Sequence, residues 1–208
     1  MKKAIAKFID FCYYKMKIRL EIKKEDEMML IYNEPILNRL DEEVERLLKK
    51  YDITSPPIDI KEICEKEGFN IIQQDMSELE KLHGKQISGM LFVGKIREDD
   101  ETAKESKVIS VKWGENPKRQ RFTMAHELGH FFLHRNDEPL IISFRSDRSP
   151  REYEADEFAA KILMPKEMLT KHYEDMLIKR AFVLASKFNV SVPAMKYRLD
   201  NLGLVYFD

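Results

Sequence analysis

The stretch "FTMAHELGHFFLH", residues 122–134, places three histidines and a glutamate inside an apolar run. Such a run ordinarily forms the buried side of a helix. Histidine is scarce in this chain, with five residues at 83, 126, 130, 134 and 172. On a helix, residues four apart lie one above the other, so His126 and His130 point the same way. Two imidazoles so arranged can share one metal ion, each giving a nitrogen at about 2.0–2.1 Å. Glu127 lies one step further round, where a carboxylate can reach a water on that ion without binding the metal itself. The pattern is H-E-x-x-H, with Leu128 and Gly129 in the free positions. Its chemistry is hydrolysis by metal-activated water, with the glutamate as base. Phe122, Ala125, Phe132 and Leu133 surround these polar groups, and a buried polar group without a partner costs about 1–3 kcal/mol. A metal ion is a partner that all three can share.

His134 does not join them. It lies eight residues beyond His126, about 12 Å along a helix rising 1.5 Å per residue, too far to share one ion. The longer H-E-x-x-H-x-x-G-x-x-H pattern also fails, because position 133 is Leu and position 136 is Asn. His134 is expected to support the ligands or to act as a cation at the helix C-terminus. A catalytic zinc takes three protein ligands and leaves a fourth position for water. The candidates for the third lie in "SPREYEADEFAAKILMP", residues 149–165, which carries Glu152, Glu154, Asp156 and Glu157. Glu152 and Asp156 are four apart and share a face, so one can bind the ion while the other holds a histidine N–H. Ser149-x-x-Glu152 also reads as a capping box, in which Glu152 only satisfies a backbone N–H. Spacing leaves ligand and cap open.

Composition bounds the rest. Across 208 residues, 36 basic and 37 acidic side chains nearly cancel, which gives no electrostatic case for nucleic acid or membrane. Lys7 and Asp10 interrupt any apolar run that could serve as a signal peptide. No stretch approaches the roughly 18 apolar residues of a membrane span. Cys12 and Cys64 make no disulfide framework. A soluble, globular, cytoplasmic protein is expected.

Along the chain, "NEPILNRLDEEVERLLKK" (33–50) reads as an amphipathic helix with Asn33 as its cap, preceded by a segment with eight Lys/Arg in the first 24 residues. Pro56-Pro57 breaks the pattern. A short helix capped by Asp59 and ended at Gly68 follows. "FNIIQQ", "ISGMLFVGK" and "SKVISVKW" read as strands, with an acidic loop between the last two. Asn116-Pro117 opens the histidine helix, "DEPLIISFR" is extended, and Ser149-Pro150 opens the next helix. Three short helices end the chain, the last between Ser191 and Gly203. The expected fold is α+β: a small, mostly antiparallel sheet packed on the H-E-x-x-H helix, with flanking helices at both ends. Three parts are expected: an N-terminal helical extension (1–51), a zincin-like core (52–165) and a helix-turn-helix-like C-terminal subdomain (166–208).

Taken together, "RQRFTMAHELGHFFLH" (119–134) and "EYEADEFAAKILMP" (152–165) resemble the ImmA/IrrE family of metallopeptidases. Members pair an H-E-x-x-H helix with a second helix of the form E-x-x-A-[ND]-x-F-A. On that resemblance Glu152 takes the third ligand position, ahead of Glu154, and Ala155-Asp156 and Phe158-Ala159 match the remaining pattern. The likeness runs from about Ile53 to Leu204; the first fifty residues have no counterpart and do not resemble the helix-turn-helix that many relatives carry. Family members cleave helix-turn-helix repressors, often encoded beside them, and others sit in toxin–antitoxin-like pairs. The resemblance therefore implies a protein substrate of that kind.

The chemistry expected is peptide hydrolysis with one Zn2+, or another divalent ion such as Mn2+, on His126, His130 and Glu152, and Glu127 as general base. Tyr153, His134, Arg121 and His83 are the candidates to stabilise the oxyanion, and Asp156 to steady a ligand. The strand "ISGMLFV" is open between a substrate-pairing strand of the cleft and an internal strand. The rival function is a non-catalytic regulatory or partner-binding protein with a structural metal. Residues 181–204 resemble a helix-turn-helix with Lys196 and Arg198 on its second helix, yet direct nucleic-acid binding is not expected from so few basic residues. The N-terminal extension is the candidate for self-association.

Overall fold

A computed structural model describes residues 34–95, 104–134, 140–144 and 149–207. The cap expected at Asn33, the basic segment before it and most of the acidic loop at 97–105 lie outside the described residues. Helix α1 (Glu34–Lys50) buries Leu40, Val44 and Leu47 on one stripe. Its outer face carries the pairs Glu43–Arg46 and Glu45–Lys49. Helix α2 (Ile60–Lys66) starts where the Asp59 carboxylate accepts the Glu62 N–H at 3.1 Å. Gly68, at φ +88°, then turns the chain into strand β1 (Phe69–Gln74).

Helix α3 (Ser77–His83) was not anticipated from the sequence. None of its residues is buried, so it has no apolar stripe to betray it. Its start was legible in principle, because Asp75 accepts the Ser77 N–H at 2.9 Å. Strands β2 (Ile87–Lys95) and β3 (Glu105–Lys112) follow. Helix α4 (Pro117–His134) begins beneath Asn116, whose side-chain oxygen accepts the Lys118 N–H at 2.9 Å. Then come β4 (Leu140–Phe144), α5 (Pro150–Leu163), α6 (Lys166–Glu174), α7 (Ala181–Lys187) and α8 (Val192–Asn201).

The four strands lie in the order β1-β3-β2-β4. Strand β1 runs parallel to β3, and β2 runs antiparallel to both β3 and β4. The fold is α+β with a mixed, mostly antiparallel sheet. Pairing on both sides makes β2 an internal strand, so it has no free backbone edge for a substrate to join. Its unbroken buried run from Ile87 to Phe92 is what a central strand covered on both faces requires.

One hydrophobic cluster runs from Leu40 and Leu47 in α1 through Ile109, Leu128 and Phe158 to Leu169, Phe188 and Leu199. Helix α1 is fastened to the two central helices by polar contacts as well. Arg39 donates to the Phe132 carbonyl at 3.2 Å, and Lys161 bonds Asp41 at 2.6 Å. Helices α4 and α5 approach closely at Gly129, where an added Cβ would lie 3.1 Å from the Phe158 ring. That approach lays the first turns of α5 against the middle of α4. No helix among the described residues is long and apolar enough to cross a membrane.

Candidate metal centre

The middle of α4 is buried all round, from Thr123 to Phe131. His126, Glu127 and His130 are 6%, 0% and 1% exposed, so their polar atoms need partners from inside the protein. The histidines turn their Nε2 atoms toward each other at 3.0 Å. Glu152, from the first turn of α5, brings one carboxylate oxygen to 3.1 Å from His126 Nε2 and the other to 3.1 Å from His130 Nε2. All three ligand atoms lie within 4.8 Å of one another, and together they could hold a metal ion. Two atoms on one ion at about 2.0–2.2 Å stand at most about 4.4 Å apart, and the pair separations of 3.0, 3.1 and 3.1 Å fall below that.

Glu152 settles its double reading by doing part of each. The Ser149 hydroxyl accepts the Glu152 N–H at 3.4 Å, which caps the helix. The Glu152 carboxylate does not complete a box; it turns inward to the histidines. Asp156, one turn along, accepts a hydrogen bond from His126 Nδ1 at 2.8 Å. In the neutral ring, the form that binds a metal, that bond leaves the lone pair on Nε2, facing Glu152 and His130. Glu154 points elsewhere, toward His134 at 3.4 Å. His134 also donates to the Arg151 carbonyl at 3.2 Å, which ties the end of α4 to the start of α5. Its pKa is lowered to about 4, first by burial and then by the positive charges of His130 and Arg151. It is therefore neutral near pH 7 rather than the helix-end cation that its position suggests.

The electrostatics of the cluster favour a cation at its centre. Burial lowers the His126 pKa, but hydrogen bonds to Asp156 and Glu152 outweigh it and push the value up to about 10. Burial raises the Glu152 pKa, and bonds from His126 and His130 reverse that to about 2. Glu127 is raised by burial, against the pull of the two histidines. Among the described residues, neither Glu127 oxygen has a hydrogen-bond partner, nor has His130 Nδ1. The Ser143 hydroxyl, also buried, is near enough to favour the Glu127 anion without making a well-formed hydrogen bond to it. Buried carboxylate oxygens without partners are costly, and they mark a place where the protein keeps acceptor capacity in reserve.

Four features escape sequence reasoning. Gly89, in β2, passes so close to α4 that a Cβ there would lie 2.5 Å from both Glu127 Oε1 and Thr123 Cγ2. A glycine inside a strand is a recognised sign of close approach, and this one shapes the Glu127 pocket. Ser143 comes from β4 and has no local sequence signal. Arg121, an oxyanion candidate by sequence, is consumed elsewhere, donating to the carbonyls of Ile58 and Asn189. Arg198 is likewise buried, with its Nε on the Met164 carbonyl at 3.1 Å. It cannot serve the second helix as a phosphate contact. Beside the cluster lies a cavity of about 580 Å³, bordered by Phe122, Tyr153 and Asp156 and extending to Val190 and Tyr197.

The chain is similar to metallopeptidase ImmA of Bacillus subtilis (strain 168), at 26% identity over 144 residues, 68% of this chain and 75% of that protein. It shares 17% identity with a solved Mycobacterium tuberculosis transcriptional regulator, with a TM-score of 0.44 over 77% of this chain. The match spans 46% of that regulator, just under half its length. Residues 66–200, which contain β1 to β4, the histidine helix and Glu152, match the IrrE N-terminal-like domain. By that match over most of its length, the chain belongs to the ImmA/IrrE family of metallopeptidases.

Proposed function

We propose that this protein is a zinc-dependent endopeptidase that cuts a helix-turn-helix repressor or an antitoxin-like protein. The observation that carries the chemistry is the convergence of His126, His130 and Glu152 beside a fully buried Glu127 whose oxygens have no hydrogen-bond partner among the described residues. Two imidazoles and a carboxylate are a donor set suited to zinc, with manganese as the alternative. His126, His130 and Glu152 would hold the ion. When bound, it would supply Lewis acidity toward the scissile carbonyl and lower the pKa of a water toward about 7.

The remaining work falls to this chain's own groups. Glu127, in the pocket shaped by Gly89 and Thr123, accepts the proton of the attacking water and passes it to the leaving amine. Asp156 keeps the His126 ring in one tautomer. His134 acts at a distance, positioning the first turn of α5 through the Arg151 carbonyl and so steadying Glu152. Tyr153, 39% exposed on the rim of the cavity, is the group we assign to the tetrahedral oxyanion. A purely structural metal would give Glu127 nothing to do, and burying an unpartnered carboxylate for no return is a poor design.

The repressor-type substrate rests on the family resemblance, and the cytoplasm is where we place the reaction. We propose that residues 1–51, 52–165 and 166–208 are functional divisions on one shared core: partner docking, chemistry and target recognition. The test is digestion of a repressor encoded beside this gene by the zinc-loaded chain and by Glu127→Gln, with products identified by mass spectrometry. One defined cut by the first and none by the second supports the proposal. Equal cutting by both, or no cut by either, overturns it.

A further inference from the structure

The cavity beside the metal ligands has the wrong lining for a water channel and the right one for a side chain. Its inner wall is Leu163, Met164 and Val190, closed by Ala160 and Ala194. Tyr197 contributes a wall too, but its hydroxyl is already bound to the buried Glu157 at 2.5 Å, so it offers its ring rather than a donor. At about 580 Å³ the space exceeds what a small residue could fill. One end opens on the metal cluster at Phe122 and Asp156, and the Phe122 ring lies 6.4 Å from that of His126.

The mouth beside Phe122 is cationic. Lys118 and Arg119 border it. The cavity's one carboxylate, Asp156, is already committed to His126. Arg119 is held in place from two sides: its Nη2 donates to the Ser88 hydroxyl at 3.1 Å, and its guanidinium sits 5.7 Å over the Phe122 ring. Its Nε–H is buried and has no hydrogen-bond partner among the described residues. A guanidinium oriented by two contacts, with a donor unspent, is built to receive an acceptor, and a carboxylate suits it best. Arg119 precedes His126 by seven residues, about 10 Å along the helix, or roughly three residues of extended chain.

We infer that this cavity is a specificity pocket for a substrate segment that carries a large apolar or aromatic residue near the cleaved bond and an aspartate or glutamate one or two positions beyond it. The apolar side chain enters between α5 and α8, and the carboxylate meets Arg119 and Lys118. This rests on the reading of the site as a peptidase and adds what it selects.

Binding, rather than cutting, separates the two ideas. A random nonapeptide display library is selected on immobilised, full-length Glu127→Gln protein, so that captured peptides are not consumed. The expected result is enrichment of a large apolar residue followed within two positions by Asp or Glu. Arg119→Gln should lower the acidic preference at least about tenfold, the worth of one hydrogen bond to a charged group, while the apolar preference stays. Ala194→Leu, which narrows the cavity from a half-buried position, should do the reverse. Circular dichroism of both variants confirms that they are folded. Enrichment of unrelated motifs, identical motifs from both variants, or no enrichment over bare resin would overturn the pocket. A chain that cuts its repressor yet shows no such selectivity keeps the chemistry and loses this inference.

Discussion

Helices α1 and α4 both mix polar and apolar residues, and the fold treats their polar groups in opposite ways. In α1 the polar residues face water, paired along the helix as Glu43–Arg46 and Glu45–Lys49. Leu40, Val44 and Leu47 are taken inside. In α4 nine consecutive residues are buried, polar and apolar alike. Water satisfies whatever α1 leaves over. In α4 each buried nitrogen and carboxylate oxygen must be matched from neighbouring elements, and among the described residues both Glu127 oxygens are left unmatched. Chemistry is marked less by which residues are polar than by where polarity has been buried without a local partner.

The contrast breaks most completely if the residues proposed to hold the ion prove dispensable. His126→Ala, His130→Ala and Glu152→Ala should each lose the bound ion, read as zinc per chain by elemental analysis, and with it all peptidase activity. Glu154→Ala should retain a full equivalent, since its carboxylate serves His134. The opposite pattern for Glu152 and Glu154 would move the third ligand. Glu127→Gln comes next. The amide fills the same space but cannot take a proton, so the rate should fall about 10²–10⁴-fold with zinc content unchanged. A rate within threefold of the parent would remove Glu127 as base.

For α1 the expected damage is to stability alone. Leu47 is fully buried, and Leu47→Ala should cost about 2–5 kcal/mol in urea unfolding while the folded protein still binds one zinc. Shortening the chain to begin at Asp52 should cost more, because it uncovers the core under Leu40, Val44 and Leu47 and removes the contacts to Phe132 and Lys161. A shortened chain as stable as the parent would show that α1 is an ornament on the core.

Much of this was legible in the sequence, for physical reasons that differ by element. The H-E-x-x-H helix and its Asn116 start, the strands β1 and β2 and the Ser149 cap all rest on short-range rules. Periodicity and capping are enough to find them. Helix α3 was missed because it buries nothing. The edge role of β4 and the internal place of β2 depend on strand order, which no local pattern carries. The Pro56-Pro57 break reads as a boundary, yet the chain on either side returns to one hydrophobic cluster. Gly89 shows the same limit at the site: the sequence displays a glycine in a strand but not the carboxylate across from it.

Gly89→Ala therefore sharpens the comparison at a smaller scale. The added methyl would press on Glu127 Oε1 and Thr123, and a misplacement of about 1 Å in a catalytic group can cost about 10²-fold. A fall in kcat of ten- to a hundredfold is expected, with zinc retained, because the ligands lie beyond the clash. Loss of zinc instead would place the strain on His126 or His130.

The smallest effect belongs to the outer face of α1. Arg46 and Glu43 make a close pair at 2.6 Å, with side chains 44% and 21% exposed, and Arg46 also lies 5.3 Å over the Phe132 ring at the end of α4. By distance alone the pair looks as strong as anything in the metal cluster. Water screens it, and holding two long side chains together costs entropy, so a double-mutant cycle on Glu43→Ala and Arg46→Ala should return a coupling of about 0.3–0.5 kcal/mol. Arg46→Ala alone should cost somewhat more than Glu43→Ala, through the lost contact with Phe132. Zinc content and kcat should not move in either variant. A coupling above about 1.5 kcal/mol would mean that this face is shielded from water, and the division between a wetted α1 and a sealed α4 would no longer explain where the chemistry sits.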